Sequence, residues 1–337
     1  MAVSSNAPRA AIVTTLRNAG AVLDSFVAYH RAIGFERLYL FFDDPNDPDL
    51  PRAGAMPGVT AIAHDEALRS AWRDLPQFSE HQDHIDTEVM SRQVLNALLC
   101  MQRGREEGFD WLLSIDSDEL FLNTSGDLRQ HFEALNQAGV DTVVYANWEA
   151  IPETDDVTDF FREVELFKLA VNMRPANFET ARPAIQARFP QITPYYHFYD
   201  NGKSAVRLGA EGMAPDGVHR FKPKARPRKM VRSKRQFILH YACCGFQHFW
   251  SKYQTLGQFE DLWWGRGDIA KAIGTLHLES RDIVATGDRQ AALKFYRERI
   301  AIVDPTKARA LIEAGFATRI ETPKKILGEI AETTTSA

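Results

Sequence analysis

The sequence predicts an α/β protein with a mostly parallel, doubly wound sheet. Three short apolar runs, over residues 10–15, 37–42 and 111–115, have the length and continuity of strands that are buried on both faces. Amphipathic segments of helical length separate these runs. Strands and helices that alternate at this spacing are typical of parallel strands joined by crossover helices. The second half is predicted to be irregular, with flanking helices.

The elements of the first half follow from apolar periodicity and from the residues that interrupt it. Gly34 is expected to end the first helix, and Asp43-Asp44-Pro45 stops the second strand abruptly. The remaining elements are a helix over 22–33, a strand over 59–63, a helix over 83–107, a helix over 127–137 and a strand over 142–146.

The pattern weakens after Trp148, where short strand candidates mix with turns rich in proline and glycine. A last clear strand is predicted over 236–240, and helices over 246–258 and 290–302. No repeat or long linker divides the chain. We therefore expect a single domain over residues 1–320, with two halves that meet near residue 148, and a weakly ordered tail over 321–337.

Composition limits the class of protein. Hydrophobic residues make up 45% of the chain and charged residues 25%, which is ordinary for a globular protein with a full core. The net charge of -5 gives no general attraction to nucleic acid. Three cysteines support neither a disulfide framework nor a paired zinc site. No apolar run approaches the ~20 residues of a membrane span, and the N-terminus lacks the pattern of a signal peptide. A cytoplasmic location is the expectation.

Acidic residues break the apolar run DWLLSIDSDELFLN, over residues 110–123. Ligands of open parallel sheets sit beyond the carboxyl ends of the strands, where Asp116 and Asp118 fall. In extended geometry the two carboxylates would point to one side, ~6–7 Å apart, and could share a divalent cation. Glu119 would point the other way, to support the pair or to contact a basic group.

The spacing of these aspartates is not decisive by itself, because Asp-x-Asp triplets arise often by chance. A second one, Asp47-Pro48-Asp49, lies in a PNDPDL setting that indicates a solvated turn. The pair at 116 and 118 differs because apolar segments flank it on both sides. Buried charge needs a partner or a metal, which favours a functional role over a structural acidic turn.

Several segments together resemble glycosyltransferases of the GT-A fold, of the broad family 2 and family 92 type. They are AAIVTTLRNAGAVLDSFVAYHRAIGFERLYLFFDD, SRQVLNALLC, GFDWLLSIDSDELFL, GKSAVRL with GVHRF, and ILHYACCGFQHFWSKY. The resemblance implies metal-dependent transfer of one sugar, a hexose, from a nucleotide sugar to an acceptor hydroxyl on a glycan or glycoconjugate. UDP is the first expectation for the nucleotide, and Mn²⁺ or Mg²⁺ for the metal. Residues 10–148 would then bind the nucleotide, and 149–305 would hold the acceptor and complete the metal site.

The resemblance also implies roles for polar residues at the strand ends. Asp116 would contact the ribose or a metal-bound water and act in catalysis, and Asp118 would ligate the metal. Candidate contacts to the nucleotide sugar are Thr15, Arg17, Asn18, Asp43, Asp44, Arg92, Gln93, Asn96, Ser117, Lys203 and Arg207. Of these, Lys203 and Arg207 would supply positive charge to the diphosphate. Each polar group could instead be a solvated or turn-forming residue.

A histidine late in such folds commonly completes the metal shell. His240, at the end of a predicted strand, is preferred over His219. Glu149, just after the strand segment DTVVYANW (residues 141–148), is the first candidate for the general base, ahead of Asp155, Asp156 and Glu211. Either histidine could equally be a hydrogen-bonded structural residue.

The segment over residues 220–235 carries nine basic residues in sixteen. Prolines 223 and 227 favour a mobile, solvated loop. The segment is also a candidate for peripheral contact with an anionic membrane. Nucleic acid is not an expected partner, and the oligomeric state is left open.

Two other functions remain alternatives. A Mg²⁺-dependent nucleotidyltransferase or phosphohydrolase also uses carboxylates at strand ends. The chain lacks a second acidic cluster for a two-metal site and the GxxxxGK[ST] phosphate loop, which counts against this class. The other alternative is a carbohydrate-binding protein without activity.

Overall fold

The computed structural model describes residues 7–174, 176–188, 201–223, 229–263 and 267–335. The chain forms two compact units, Met1–Ala146 with Gly202–Ile238, and Asn147–Asn201 with Leu239–Ala337. The first unit ends close to the predicted division near residue 148, but the chain returns to it for residues 202–238. The single domain over residues 1–320 stays a prediction.

Strands and helices alternate along the first half. The strands are β1 (Ala10–Leu16), β2 (Arg37–Phe42), β3 (Val59–Ala63), β4 (Trp111–Ser114), β5 (Glu119–Asn123), β6 (Thr142–Glu149), β7 (Leu166–Lys168), β8 (Lys203–Arg207), β9 (Met213–Asp216), β10 (Arg220–Pro223), β11 (Met230–His240), β12 (Leu262–Trp263), β13 (Gly267–Asp268) and β14 (Ala317–Arg319). The helices are α1 (Val22–Ala32), α2 (Leu50–Gly54), α3 (Glu66–Arg73), α4 (Phe78–His81), α5 (Val89–Glu106), α6 (Leu128–Gln137), α7 (Phe160–Glu163), α8 (Phe178–Arg188), α9 (Phe246–Leu256), α10 (Ile269–Ile273), α11 (Leu276–Ala285), α12 (Arg289–Arg299), α13 (Pro305–Glu313) and α14 (Thr322–Thr335).

An eight-stranded sheet has the order β3-β2-β1-β4-β8-β6-β11-β5. β1 pairs in parallel with β2 and β4, and β2 pairs in parallel with β3. β8 pairs antiparallel with both β4 and β6. The predicted α/β class is therefore confirmed, and its parallel half is the part that the apolar runs indicated. β6 and β11 run from the first unit into the second.

The side chains of β1, β2 and β4 are mostly buried on both faces, whereas those of β3, at the edge of the sheet, are half-buried. Ala11, Ile12 and Leu40 are fully buried, as continuous apolar runs require. Helix α5 packs on this sheet through Leu95 and Cys100, which belong to the same core cluster as Ala11. The carboxyl ends of β1, β2 and β4 are thereby held on a rigid layer.

The helix boundaries follow from local chemistry. α6 begins where the Asp127 carboxylate accepts hydrogen bonds from the backbone N–H groups of residues 129 and 130. α1 ends before Gly34, which adopts a φ of 112°. The helix predicted over 83–107 is shorter than expected and starts at Val89, because Glu88 has extended backbone (φ -111°, ψ 108°).

The second unit contains two further cores. One joins α9 to α12 through Phe249 and Tyr296, both fully buried. The other includes Leu166 of β7 and Ala317 of β14, and these two strands pair antiparallel. The predicted helices over 246–258 and 290–302 correspond to α9 and α12.

Three boundary predictions are wrong. β6 extends to Glu149, so this residue is the last of the strand rather than the first beyond it. Residues 230–235, predicted as a loop, belong to β11, and the Thr124 N–H donates to the Arg235 carbonyl oxygen at 3.1 Å. Residues 220–223 form β10, while residues 224–228 lie outside the described part.

The tail predicted over 321–337 is also wrong, because α14 covers Thr322–Thr335. Leu327 is fully buried, and its carbonyl oxygen accepts a hydrogen bond from the Arg162 guanidinium at 3.1 Å. The burial of Leu327 stabilises this helix, which the polar residues at the end of the chain did not predict. None of the helices in the described ranges has the length and apolarity needed to cross a lipid bilayer.

Candidate active site

A tight turn follows β4 and carries the acidic motif. The Glu119 N–H donates to the Asp116 carbonyl oxygen (3.1 Å), and the Asp116 N–H donates to Glu119 Oε2 (2.8 Å). Asp116, Ser117 and Asp118 are half-buried in this turn. The expected extended geometry of the two aspartates is wrong, because the turn closes across them.

Lys203 places a buried cation against this turn. Its Nζ lies 2.7 Å from Asp116 Oδ2 and 3.7 Å from Glu119 Oε2. The lysine side chain is 2% exposed, that of Glu119 5%, and that of Asp116 33%. Gly202 determines where the lysine enters, since its φ is 62° and an added Cβ would overlap the Tyr145 carbonyl oxygen.

The charges of this cluster support one another. Burial works to raise the pKa of the Asp116 carboxyl, but the Lys203 ammonium outweighs it, and the pKa lies below its usual value. Burial works to lower the pKa of Lys203, and Asp116 and Glu119 raise it above its usual value. The pair is therefore fully ionised at neutral pH.

Gln93 also contacts this carboxylate, while its predicted contact with the nucleotide sugar stays a prediction. Its Nε2 donates to Asp116 Oδ1 at 2.7 Å from helix α5. Both oxygens of Asp116 thus have side-chain partners.

Arg92 and Asp43 form a bidentate ion pair. The Arg92 Nε and Nη2 lie 2.5 and 2.7 Å from the two Asp43 carboxylate oxygens, and Nη1 donates to the Ile85 carbonyl oxygen at 2.8 Å. The two side chains are only 11% and 13% exposed. The structure therefore shows them fixing β2 to α5, and their contact with a nucleotide stays a prediction.

Asn96 binds Thr15 in a similar way. The Asn96 Nδ2 donates to Thr15 Oγ1 at 2.8 Å, and its Oδ1 accepts from Trp72 Nε1 at 3.1 Å. This network connects the end of β1 to α5. Thr15 is half-buried, while Asn96 is 2% exposed, so Thr15 is the more accessible of the two predicted contacts.

The turn between β1 and α1 carries Arg17 and Asn18. The Arg17 guanidinium pairs with Asp44 at 3.2 Å, and both side chains are at least 30% exposed. The Asn18 backbone has a φ of 51° and its N–H donates to Asp47. Asp47 and Asp49 are 3% and 8% exposed, so the solvated turn predicted for this second Asp-x-Asp motif is wrong.

His219 lies beside the acidic turn. Its Nδ1 is 3.0 Å from the Gly202 carbonyl oxygen. Burial, together with the positive charge of Lys203, lowers its pKa to about 3, although Asp116 acts in the opposite direction. A neutral imidazole is the form that ligates metals, but its role as a metal ligand stays a prediction.

The structure does not bring Arg207 to this cluster. In the antiparallel pair, Ser204 lies opposite Ser114 at the end of β4, and Arg207 lies opposite Trp111 at its start. Three residues of strand separate these positions by ~10 Å. Arg207 instead pairs with Asp141 at 2.5 Å. This register does not support the predicted contact of Arg207 with a diphosphate, which stays a prediction.

Glu149 and His240 form a buried pair in the second unit. The His240 Nδ1 lies 2.9 Å from each Glu149 carboxylate oxygen, and the Asn147 amide also donates to this carboxylate. All three residues are at most 6% exposed. This geometry favours Glu149 as the group that orients the His240 imidazole.

The other base candidates are distributed differently. Asp155 pairs with Arg297, while Asp156 and Glu211 are exposed. The general base therefore stays a prediction, as does the metal role of His240.

Only part of the predicted ligand set fits a divalent cation. Within the described ranges, no three His, Cys, Asp or Glu side chains are grouped so that they could hold a metal ion. Mg²⁺, however, is commonly bound through one or two carboxylates together with the phosphates of a substrate. Asp118 fits that limited role, and Asp116 fits it less well because Lys203 and Gln93 already bind its oxygens.

Three contacts of the site are not predicted by the sequence. They are the ion pair of Lys203 with Asp116, in place of the predicted phosphate contact, and the hydrogen bonds of Asp47 and of Asp49. These contacts join residues that are 29 to 87 positions apart. One signal was present in the sequence: Gly202 stands directly before the lysine that needs a fixed position.

Comparison with known proteins adds two relatives. The chain is 27% identical over 323 residues to an Arabidopsis thaliana protein named glycosyltransferase-like, covering 91% of this chain and 69% of that protein. A second Arabidopsis thaliana protein of the same name is 25% identical over 321 residues, covering 91% of this chain and 60% of that protein. The chain thus spans about two thirds of these relatives. No protein-family model matches it.

Solved structures give weaker likenesses. Core-mannan synthase A of Aspergillus fumigatus, in its Mn/GDP form, has a TM-score of 0.29 and 9% identity and covers 63% of each chain. The mannosyltransferase Ktr4p of S. cerevisiae has a TM-score of 0.27 and 10% identity, covering 60% of this chain and 56% of that one. TM-scores this low carry no argument about fold or function. The sequence similarity alone links the chain to proteins named for glycosyl transfer.

Proposed function

We propose that the protein is a glycosyltransferase that moves one sugar from a nucleotide sugar to an acceptor hydroxyl on a glycan or glycoconjugate. The observation that carries the proposal is the anchored acidic turn after β4, in a chain that is similar over 91% of its length to glycosyltransferase-like proteins. Asp116 and Asp118 are partly accessible there, and β4 and α5 fix their surroundings.

The turn offers groups suited to a nucleoside diphosphate. The oxygens of Asp116 can accept hydrogen bonds from ribose hydroxyls, with Gln93 and Lys203 holding the carboxylate in place. Asp118 would hold a divalent cation, Mn²⁺ or Mg²⁺, which when bound neutralises charge on the leaving diphosphate. Thr15 and Arg17, at the end of β1, would contact the nucleotide. Transfer of a hexose from UDP is the first specificity to test.

Thermal stability with nucleotides tests this proposal. The protein is mixed with UDP, GDP or CMP, each with Mn²⁺ or with EDTA, and its melting temperature is measured. Stabilisation by one nucleoside diphosphate supports the proposal, and a requirement for Mn²⁺ supports the metal. No response to any nucleotide overturns it. A screen for hydrolysis of nucleotide sugars by mass spectrometry then identifies the donor.

Asp118→Asn provides the site-specific test. The variant should fold normally and lose the Mn²⁺-dependent part of the stabilisation, because an amide is a poorer ligand for a hard cation. Asp110→Asn is the matched control, since Asp110 stands just before β4 and its carboxylate accepts a hydrogen bond from the Arg9 N–H at 2.8 Å. Unchanged Mn²⁺ dependence in Asp118→Asn would contradict the ligand assignment.

The alternatives predict different responses in the same experiments. A nucleotidyltransferase would bind a nucleoside triphosphate and release pyrophosphate with a sugar phosphate as the second substrate. A phosphohydrolase would release phosphate without transfer. A carbohydrate-binding protein would respond to glycans and not to nucleotides.

We also propose that the exposed start of β11 contacts an anionic membrane. Met230, Arg232 and Lys234 alternate along the strand, so they lie on one face; Met230 is 61% exposed and the two cations are exposed. Each cation near an anionic surface contributes about 1 kcal/mol of attraction. Co-sedimentation with phosphatidylserine vesicles should exceed that with phosphatidylcholine, and R232E/K234E should abolish the difference. Equal binding to both lipids would refute the contact.

A further inference from the structure

The second Asp-x-Asp motif, Asp47-Pro48-Asp49, is an internal anchor. Both carboxylates are almost fully buried, although their sequence context is polar. A buried carboxylate needs hydrogen bonds or a cation in place of water. The hydrogen-bond partners of these two aspartates therefore indicate their role.

Those partners lie in the turn between β1 and α1. The Asn18 N–H donates to Asp47 Oδ2 at 2.6 Å, and the Gly20 N–H donates to Asp49 Oδ2 at 2.7 Å. The other oxygen of each carboxylate is also occupied. Asp47 Oδ1 accepts from the Asp49 N–H at 2.9 Å, and Asp49 Oδ1 lies 2.6 Å from Arg52 Nη2.

The turn needs this support because of its backbone. Among the described residues, Asn18 is the one non-glycine residue with positive φ, at 51°, and Gly20 has a φ of 60°. The left-handed region is unfavourable for a residue with a side chain unless its surroundings hold it there. Arg52 also donates to the Gly20 carbonyl oxygen at 2.8 Å. The segment from Asp47 to Arg52 therefore binds the N–H groups of Asn18 and Gly20 and the carbonyl oxygen of Gly20.

The anchoring bonds do not involve the side chains of Thr15 and Arg17, whose own partners are the side chains of Asn96 and Asp44. Thr15 and Arg17 lie three residues and one residue before Asn18 and are half-buried and exposed, respectively. The N–H groups of Asn18 and Gly20 are the donors that an anion would otherwise use near the start of a helix. Because the protein's own carboxylates occupy them, a ligand at this turn is bound by side chains and not by these backbone amides.

We propose that Asp47 and Asp49 are positioning residues that hold the β1–α1 turn in the conformation that binds the donor nucleotide. The inference rests on the proposed function, because it takes this turn as part of the nucleotide site. A turn that reaches its binding conformation only part of the time lowers the apparent affinity in proportion to that fraction. Removing an anchor should therefore weaken nucleotide binding even where the fold survives.

The experiment combines hydrogen exchange with nucleotide affinity. In the wild-type protein the amides of Asn18 and Gly20 should exchange slowly. Asp47→Ala and Asp49→Ala should accelerate that exchange and weaken binding of the nucleoside diphosphate selected in the thermal screen by about tenfold. Asp47→Asn keeps one acceptor oxygen, so it should recover part of the affinity and serves if the alanine variant does not fold.

Asp127→Ala is the matched control. This carboxylate also accepts hydrogen bonds from backbone N–H groups, at the start of α6. Its loss should reduce stability and leave nucleotide affinity unchanged. An equal loss of affinity in Asp127→Ala would show a general effect of destabilisation and overturn the inference.

Two further outcomes separate the inference from the proposed function. If the wild-type protein binds nucleotide but both alanine variants bind it with unchanged affinity while their amides exchange faster, the positioning role is refuted and the proposed function stands. If the wild-type protein binds no nucleotide, the proposed function fails, and the inference fails with it.

Discussion

Replacing Lys203 with methionine removes a buried cation whose Nζ lies 2.7 Å from Asp116 and 3.7 Å from Glu119. Methionine has a similar length and no charge. The lysine is 2% exposed and Glu119 is 5% exposed, so water cannot readily replace the lost ammonium at Glu119. Asp116 is 33% exposed and can regain part of its hydration.

The expected magnitude follows from these exposures. Removing one partner of a buried ion pair costs ~3–5 kcal/mol, because the remaining charge is left uncompensated. Since one of the two carboxylates reaches solvent, we expect the lower part of that range, about 3 kcal/mol at pH 7. Lys222→Met is the control, because that side chain is 66% exposed in its pair with Asp216, and surface pairs contribute ~0–1 kcal/mol.

The pKa shifts of Asp116 and Lys203 determine how the stability from this ion pair changes with pH. In the wild-type protein the lowered pKa of Asp116 gives stability that is present above its ordinary value of 3.8 and lost below it, as pH falls through the folded-state pKa. The raised pKa of Lys203 gives stability that is present below its ordinary value of 10.5 and lost as pH rises beyond the folded-state pKa. The pair therefore contributes a constant amount between about pH 4 and pH 10.

In Lys203→Met the main remaining influences on the Asp116 pKa, burial and the charge of Asp118, both raise it. The folded variant then binds a proton more readily than the unfolded chain. The free energy of unfolding that Lys203→Met loses relative to the wild-type protein should therefore become smaller as pH falls from 7 toward 5.

Urea unfolding followed by tryptophan fluorescence at pH 7 and pH 5 measures both effects. The midpoint should fall with little change in the slope of free energy against urea. A deficit below 1 kcal/mol at pH 7, no larger than that of Lys222→Met, would refute the buried pair. A deficit that grows on acidification would refute the electrostatic account.

Three more predictions concern other parts of the fold. Gly202→Ala should cost about 2–4 kcal/mol in urea unfolding, because a Cβ would overlap a backbone carbonyl at positive φ, whereas Gly209→Ala has open space and should be neutral. Burial lowers the pKa of His30 to about 3, so the free energy of unfolding should decrease as pH drops below 6.5, by on the order of 4 kcal/mol near pH 3. The free energy of unfolding of His30→Gln should depend less on pH in this range. Glu149→Gln should slow donor turnover through misplacement of His240 without changing donor affinity, and an unchanged rate would exclude a role in catalysis.

The sequence was most informative where burial alone decides structure. β1, β2 and β4 are mostly apolar runs, which is the composition typical of strands that are buried on both faces. Short strands such as β9 escaped detection, because four residues pairing with β10 have too little periodicity to distinguish from a turn. Glu149 was misplaced because a charged residue ending a strand looks like the first residue of a loop.

The candidate site was predictable in its location and less so in its bonds. The carboxyl end of β4 could be chosen because acidic residues interrupt an apolar segment there. The register that brings Lys203 to this end and leaves Arg207 at the other depends on the pairing of β8 with β4, across about 90 residues of chain. Side-chain partners set by such long-range pairing leave no local pattern in the sequence.

The two Asp-x-Asp motifs show what burial can and cannot decide. Burial was the reason for preferring Asp116 and Asp118, yet Asp47 and Asp49 are the more buried pair. What separates the motifs is the kind of partner. The Asp47 carboxylate accepts hydrogen bonds from backbone N–H groups, and the Asp49 carboxylate is bound by a backbone N–H group and by Arg52. These carboxylates can therefore release their backbone partners only if the β1–α1 turn changes shape. Side-chain groups bind Asp116, and a side chain can in general change its rotamer while the backbone stays in place. A carboxylate that must exchange partners during a reaction therefore needs the second arrangement, and a carboxylate that must keep a binding turn rigid needs the first.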